Sequence, residues 1–237
     1  MGGLSGKRVL IIGRGSGIAG AAVLAAKAEG ADVVAAGRDA AALASHYEGE
    51  AVSAETVDVT DEESIARLAA TLGRVDHVVT TASARARGKI GDLQPETVAL
   101  SFAVKAIGPI LLAKHLAPIM PADGSFVLFS GATAVRPQVG MLAVAGTNGA
   151  VDSITRGLAV ELAPIRVNAI APGTIDSGAY EALGAEARAR LFSSRSATSP
   201  SGRVGEPGDI ARAVIFALTA SFLTGVSIRV DGGEILV

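Results

Sequence analysis

A single-domain, doubly wound α/β fold is predicted by three observations. Strand-like and helix-like patterns alternate along the chain, the apolar residues are almost all aliphatic, and the first strand-to-helix turn is packed with glycine. Strands separated by helices require right-handed crossovers, and hence a Rossmann-type parallel sheet of about seven strands with helices on both faces. Hydrophobic residues make up 49% of the 237 residues and aromatic ones only 3%. The core is therefore built from Ala, Val, Ile and Leu, as suits strands covered on both sides. No shift in composition divides the chain, and 1–237 reads as one domain.

The first strand pattern, 9–12, runs into the turn GRGSGIAG and then an alanine-rich helical stretch at 18–29. A helix N-terminus presents unpaired N–H groups and a partial positive charge, and glycine lets an anion approach them closely. The segment therefore predicts a nucleotide site, because the pattern G-x-G-x-x-G (Gly15, Gly17, Gly20) follows a strand and opens a helix. Further strand patterns lie at 32–36, 55–59, 77–81, 125–130, 166–170 and 227–230. Helical stretches lie between them at 40–46, 62–72, 95–119, 141–162 and 208–220. Asp39 is placed to cap the helix at 40, and the acidic run Asp58, Asp61, Glu62, Glu63 suits the start of the helix at 62. The serine-rich segment 174–205 is read as irregular, and either a substrate lid or a loose surface loop fits its length. Ligands of such sheets lie beyond the carboxyl ends of the strands, so the residues after each strand are the candidates.

Composition excludes several functions. The net charge of −2 gives no basic footprint for nucleic acid, and the absence of cysteine excludes disulfides, thiolate metal ligands and a Cys nucleophile. The three histidines, His46, His77 and His115, are scattered, so no metal site is expected. No apolar run is read as long enough to span a bilayer and the N-terminus carries no secretory-type stretch, so a cytoplasmic protein is expected.

From about Lys7 to Gly233 the chain resembles the short-chain dehydrogenase/reductase family, on several motifs in order. Gly13-Arg14-Gly15-Ser16-Gly17-Ile18-Ala19 is similar to the family's glycine motif, with Ala19 where the last glycine is usual. Asp58-Val59 resembles the pair that contacts adenine, and Thr80-Thr81-Ala82-Ser83 stands where Asn-Asn-Ala-Gly is usual. Ile165-Arg166-Val167-Asn168-Ala169-Ile170-Ala171-Pro172-Gly173 and Val230-Asp231-Gly232-Gly233 complete the match. The resemblance implies a nicotinamide cofactor held by these motifs, with Ile175 and Ser177 following Pro172-Gly173 in the cofactor set. After the second strand comes Gly37-Arg38 and no acidic partner for ribose hydroxyls. Arg38 and Arg14 can flank a ribose 2′-phosphate, so NADPH is expected over NADH. The other reading of Arg38 is an ordinary solvated charge.

The resemblance also implies a Ser, Tyr, Lys and Asn set, and each position is changed. Val144 stands at the Tyr position, Asn148 at the Lys position, Gly131 (after Ser130) at the Ser position, and Lys105 at the Asn position. Valine has no proton to give. Tyr47 lies in the adenine-side crossover and Tyr180 in the lid. Two readings of Lys105 stand: an ammonium supplied from the neighbouring helix in place of the missing lysine, or a lysine that fills a polar gap or pairs with a lid carboxylate. Ser130 or Thr133 can hydrogen-bond a carbonyl oxygen, or only satisfy loop backbone. The expected function is NADP(H)-dependent hydride transfer to a small carbonyl or related acceptor. Its alternatives are a cofactor-binding protein without turnover, as sensor or partner subunit, and a non-redox enzyme on a borrowed fold. The resemblance implies a homodimer or homotetramer assembled through the apolar stretches 99–117 and 151–163 and the C-terminal strand.

Overall fold

The computed structural model describes residues 2–237. Seven parallel strands form one sheet in the order β3-β2-β1-β4-β5-β6-β7. They are β1 (Arg8–Ile12), β2 (Asp32–Gly37), β3 (Ser53–Thr56), β4 (His77–Thr80), β5 (Ser125–Phe129), β6 (Arg166–Pro172) and β7 (Ser227–Val230). Alternation along each strand splits the core in two. Leu10, Ile12 and Val34 face one side, packed with α3 (Glu62–Leu72), α5 (Gly108–Leu116) and α6 (Leu142–Glu161). Val9, Ile11 and Val33 face the other, packed with α1 (Gly17–Ala28), α2 (Ala40–His46) and α8 (Pro207–Thr219). Helix starts follow local chemistry: Asp39 accepts the Ala42 amide at 2.9 Å, and Asp61 that of Glu63 at 3.0 Å.

Four expectations are corrected. The third strand ends at Thr56 rather than Val59. The Val57 amide still donates to Gly37 O (2.8 Å), and the edge then stops because the Asp58 amide donates to Ser64 Oγ (3.0 Å), while Val57 and Val59 are buried in the core. The helix expected unbroken over 95–119 is interrupted between α4 (Pro95–Phe102) and α5 by a wide turn at Ala103–Ile107, where the Gly108 amide reaches back to Ala103 O. Pro109 explains the interruption: it has no N–H to donate to the Lys105 carbonyl, and its ring crowds that carbonyl. The stretch Pro95–Ile119 is also, by length and hydropathy alone, apolar enough to cross a membrane, contrary to expectation, although its most apolar window is 33% buried within this fold. Finally, the irregular segment contains α7 (Ala185–Thr198), a helix with no buried residue. It is helical through alanine and arginine propensity and the Glu186–Arg190 pair, without the apolar stripe that sequence periodicity detects.

Apolar side chains remain on the outside of these helices. Leu100, Phe102, Ile107 and Ile110 on α4–α5, Val160 on α6, and Phe222, Leu236 and Val237 near the C-terminus are exposed.

Candidate active site

Strand order reverses between β1 and β4, and a crevice opens there at the carboxyl ends of the strands. It is a cavity of about 1080 Å³ running from the glycine turn to the start of α6, with the segment 174–183 along its rim. Gly13, Arg14, Ser16 and Ile18 line its first end, at the N-terminus of α1. Ser16, the N-cap, makes no side-chain bond to the helix. Gly17 lies behind the lining: at φ 63° a side chain there is strained, and a Cβ would meet the Ser177 carbonyl at 2.5 Å. Tyr47 braces the turn from below, donating its hydroxyl to Gly15 O at 3.1 Å; burial pushes that phenol up to about 12.

Arg38, Asp58, Val59, Thr81, Ala82 and Ser83 continue the lining, and Pro172, Gly173, Ile175 and Ser177 form the opposite wall. Asp58 accepts both the hydroxyl (2.7 Å) and the amide (2.9 Å) of Thr60, which hold its carboxyl below the usual range, helped by Arg38. The structure thus brings the sequence-predicted residues to one cavity, except the motif glycines Gly15, Gly17 and Gly20, which do not line it; Gly17 packs against the Ser177 carbonyl of the lining instead.

The far end is a buried polar network. The α6 stripe Val144, Thr147, Asn148, Val151 and Thr155 faces inward at helical spacing, which puts Val144 and Asn148 one turn apart on the cavity wall. Lys105 projects from the wide turn at 103–107 and donates to Asn148 Oδ1 and to the Ser130 carbonyl (3.2 Å). Asn148 Nδ2 donates to Thr133 Oγ1 at 2.7 Å, and Ser130 Oγ donates to the Asn148 carbonyl at 3.1 Å. Lys105 is only 8% exposed. That burial, with the Arg85 charge, pulls its pKa down to about 7, against a smaller opposing pull from Asp152. At Gly131 a Cβ would sit 2.6 Å from Asn148 Nδ2, so the asparagine amide occupies the space that a residue with a side chain would need. The one tyrosine lining the cavity among the described residues is Tyr180, on the rim, edge-on to Phe192 at 5.7 Å.

Several lining residues carried no sequence signal of their own. Arg85 and Arg87 follow the β4 motif, and Arg195 reaches in from α7. Glu234, from the C-terminal turn, accepts the Thr174 amide at 2.6 Å and pairs with Arg195 at 3.5 Å, tying the rim to the body. The charge of these residues was visible in sequence; their convergence is tertiary.

Residues 12–234 match a family described as enoyl-(acyl carrier protein) reductase. The chain is 32% identical to 2-keto-3-deoxy-L-fuconate dehydrogenase of Xanthomonas campestris pv. campestris, over 97% of this chain and 80% of that one. It is 36% identical to the inactive 2-(S)-hydroxypropyl-CoM dehydrogenase 2 of Xanthobacter autotrophicus, over 74% of this chain and 82% of that one. Among solved structures it resembles a small-chain dehydrogenase in complex with NADPH, with a TM-score of 0.86 and 31% identity over 98% and 99% of the two chains. With a family match over nearly its whole length and a fold shared with a solved small-chain dehydrogenase, the chain belongs to the short-chain dehydrogenase/reductase family of NAD(P)-dependent oxidoreductases.

Proposed function

We propose that the protein uses NADPH in preference to NADH to reduce a small carbonyl or related acceptor, with Lys105 as the proton source. The residues present fit the cofactor: a glycine turn with a free helix N-terminus suits a diphosphate, and Arg14 and Arg38 suit a 2′-phosphate beside it. When bound, the nicotinamide supplies the hydride. The protein's part is to orient the acceptor, exclude water and deliver one proton to the oxygen that becomes a hydroxyl. The observation that carries this reading is the contact between Lys105 and Asn148. In the register of the family resemblance these residues stand at the usual Asn and Lys positions respectively, so the pair is kept with its members exchanged. A lysine depressed to about 7 gives up a proton near neutral pH, and the neutral amine remains held by Asn148 and the Ser130 carbonyl. Asn148 acts through Lys105, and Ser130 sets its position.

A second reading, cofactor binding without turnover, is favoured by Val144 at the usual tyrosine position and by the two acceptors that engage the Lys105 amine. Titration with NADPH and NADH, followed by hydride transfer to a panel of carbonyls, separates the two. Tight NADPH binding with turnover supports the first, binding without turnover the second, and failure to bind either nucleotide overturns both. The protein is further proposed to be cytoplasmic and to assemble as a homodimer or homotetramer, supported by the exposed Leu100, Phe102, Ile107 and Ile110; a dilute monomer by sedimentation contradicts the assembly.

A further inference from the structure

The wall of the cavity beside Lys105 carries positive charge beyond the two arginines assigned above to the cofactor. Arg14 and Arg38 stand at the glycine-turn end, whereas Arg85 and Arg87 line the cavity in the loop after β4, on the side of Lys105 and Tyr180. Ala86, 3% exposed, anchors the loop between the two arginines, so both guanidinium groups project from a fixed support. Among the described residues neither has a carboxylate within ion-pair distance. Arg87 lies over the Tyr180 ring at 5.5 Å, which holds it at the rim. The acids that line the cavity are engaged elsewhere: Asp58 on Thr60, Glu234 on Thr174 and Arg195, and Glu181 in the field of Arg188.

We propose that this wall is the substrate's anion site: the acceptor carries a carboxylate or phosphate monoester, bound by Arg85 from within and Arg87 at the rim, with its carbonyl toward Lys105. The proposal deepens the reductase reading and rests on it. Three cations brought together in a chain of net charge −2 are a local feature, not the average surface. Protein crowding around Arg85 pushes its guanidinium below its ordinary value; Tyr180 opposes this, while Arg87 and Arg14 add to it, so an anion there would offset the charge of neighbouring arginines. The planar forks of two arginines match carboxylate and phosphate oxygens. The same anion would raise the Lys105 proton affinity, since Arg85 lowers it.

The test compares matched probes on NADP⁺-loaded protein, in which reduction cannot intervene. Pyruvate against methyl pyruvate reads a carboxylate, and dihydroxyacetone phosphate against dihydroxyacetone reads a phosphate monoester. At least one anion is expected to bind about tenfold or more tighter than its neutral partner, in keeping with a charge-assisted pair. The pair that shows the preference identifies the anion. Arg85→Met is expected to abolish the preference while changing the NADPH Kd far less than it changes anion binding, Arg85→Lys to retain part of it, and Arg87→Met to reduce it less. No preference in either pair, or a preference unchanged in Arg85→Met, overturns the proposal. If NADPH itself fails to bind, the reductase reading falls, and the same titration of unloaded protein decides the anion site independently.

Discussion

One end of the cavity is backbone and the other is side chain. The glycine turn, the proposed cofactor end, consists of a helix N-terminus, a positive-φ glycine at Gly17 and two exposed arginines, Arg14 and Arg38. No buried polar network is found there among the described residues; Tyr47 ties the Gly15 carbonyl to α2. At the α6 end, Lys105, Ser130 and Asn148 are buried and each is hydrogen-bonded to another, with the half-buried Thr133 closing the network. On the proposed reading, the first arrangement would bind a charged ligand at little desolvation cost to its exposed arginines. The second holds a buried amine, where the desolvation cost of its charge lowers its proton affinity. Affinity and reactivity are thus built from different materials in one crevice.

The contrast can be broken from either side, and the reactive end should give the largest effect. Lys105→Met is expected to lower single-turnover reduction by about 10²–10⁴-fold, the usual worth of a positioned acid, while NADPH affinity changes far less. Native stability carries the same signature. The folded pKa of about 7 lies below the ordinary lysine value of 10.5, so between these pH values the unfolded chain binds the extra proton. Stability therefore rises with pH through that window, and Lys105→Met removes this slope in denaturant titrations. At the other end, Arg38→Ala is expected to weaken NADPH by about 10–100-fold, the range of a charged hydrogen-bonded pair, and to leave NADH unchanged. Equal losses for both nucleotides would move the 2′-phosphate away from Arg38.

Smaller changes sharpen the comparison. Gly131→Ser places a side chain against the Asn148 amide. It is expected to cost roughly 1–3 kcal/mol and to lower Tm by roughly 2–12 °C, through overpacking of a buried polar network. Tyr47→Phe removes the bond to Gly15 O and is expected to cost about 1 kcal/mol with a few-fold loss of NADPH affinity, measured by melting and fluorescence titration.

Legibility in the sequence followed the same divide. The sheet, its helices and the glycine turn were readable because strand alternation, caps such as Asp39 and glycine chemistry are local signals. That the motif residues after the strands line one cavity followed from the topology, which brings strand ends together. What escaped was set by tertiary contact. Nothing periodic announces α7, whose helix has no buried face. The wide turn that delivers Lys105 depends on Pro109 and was hidden inside a continuous apolar run. The limit of β3 depends on Ser64, six residues away, claiming the Asp58 amide. Arg85 and Arg87 read as loop charges until the fold set them beside Lys105.

The pH profile of single-turnover NADPH oxidation, native protein against Lys105→Met with one reducible carbonyl, tests the central claim most directly. The native rate is expected to fall as pH rises through about 7 and the Lys105 ammonium is lost, while the variant is slow and flat over the same range. Superimposable profiles of equal rate would place the proton elsewhere and leave Lys105 a structural residue.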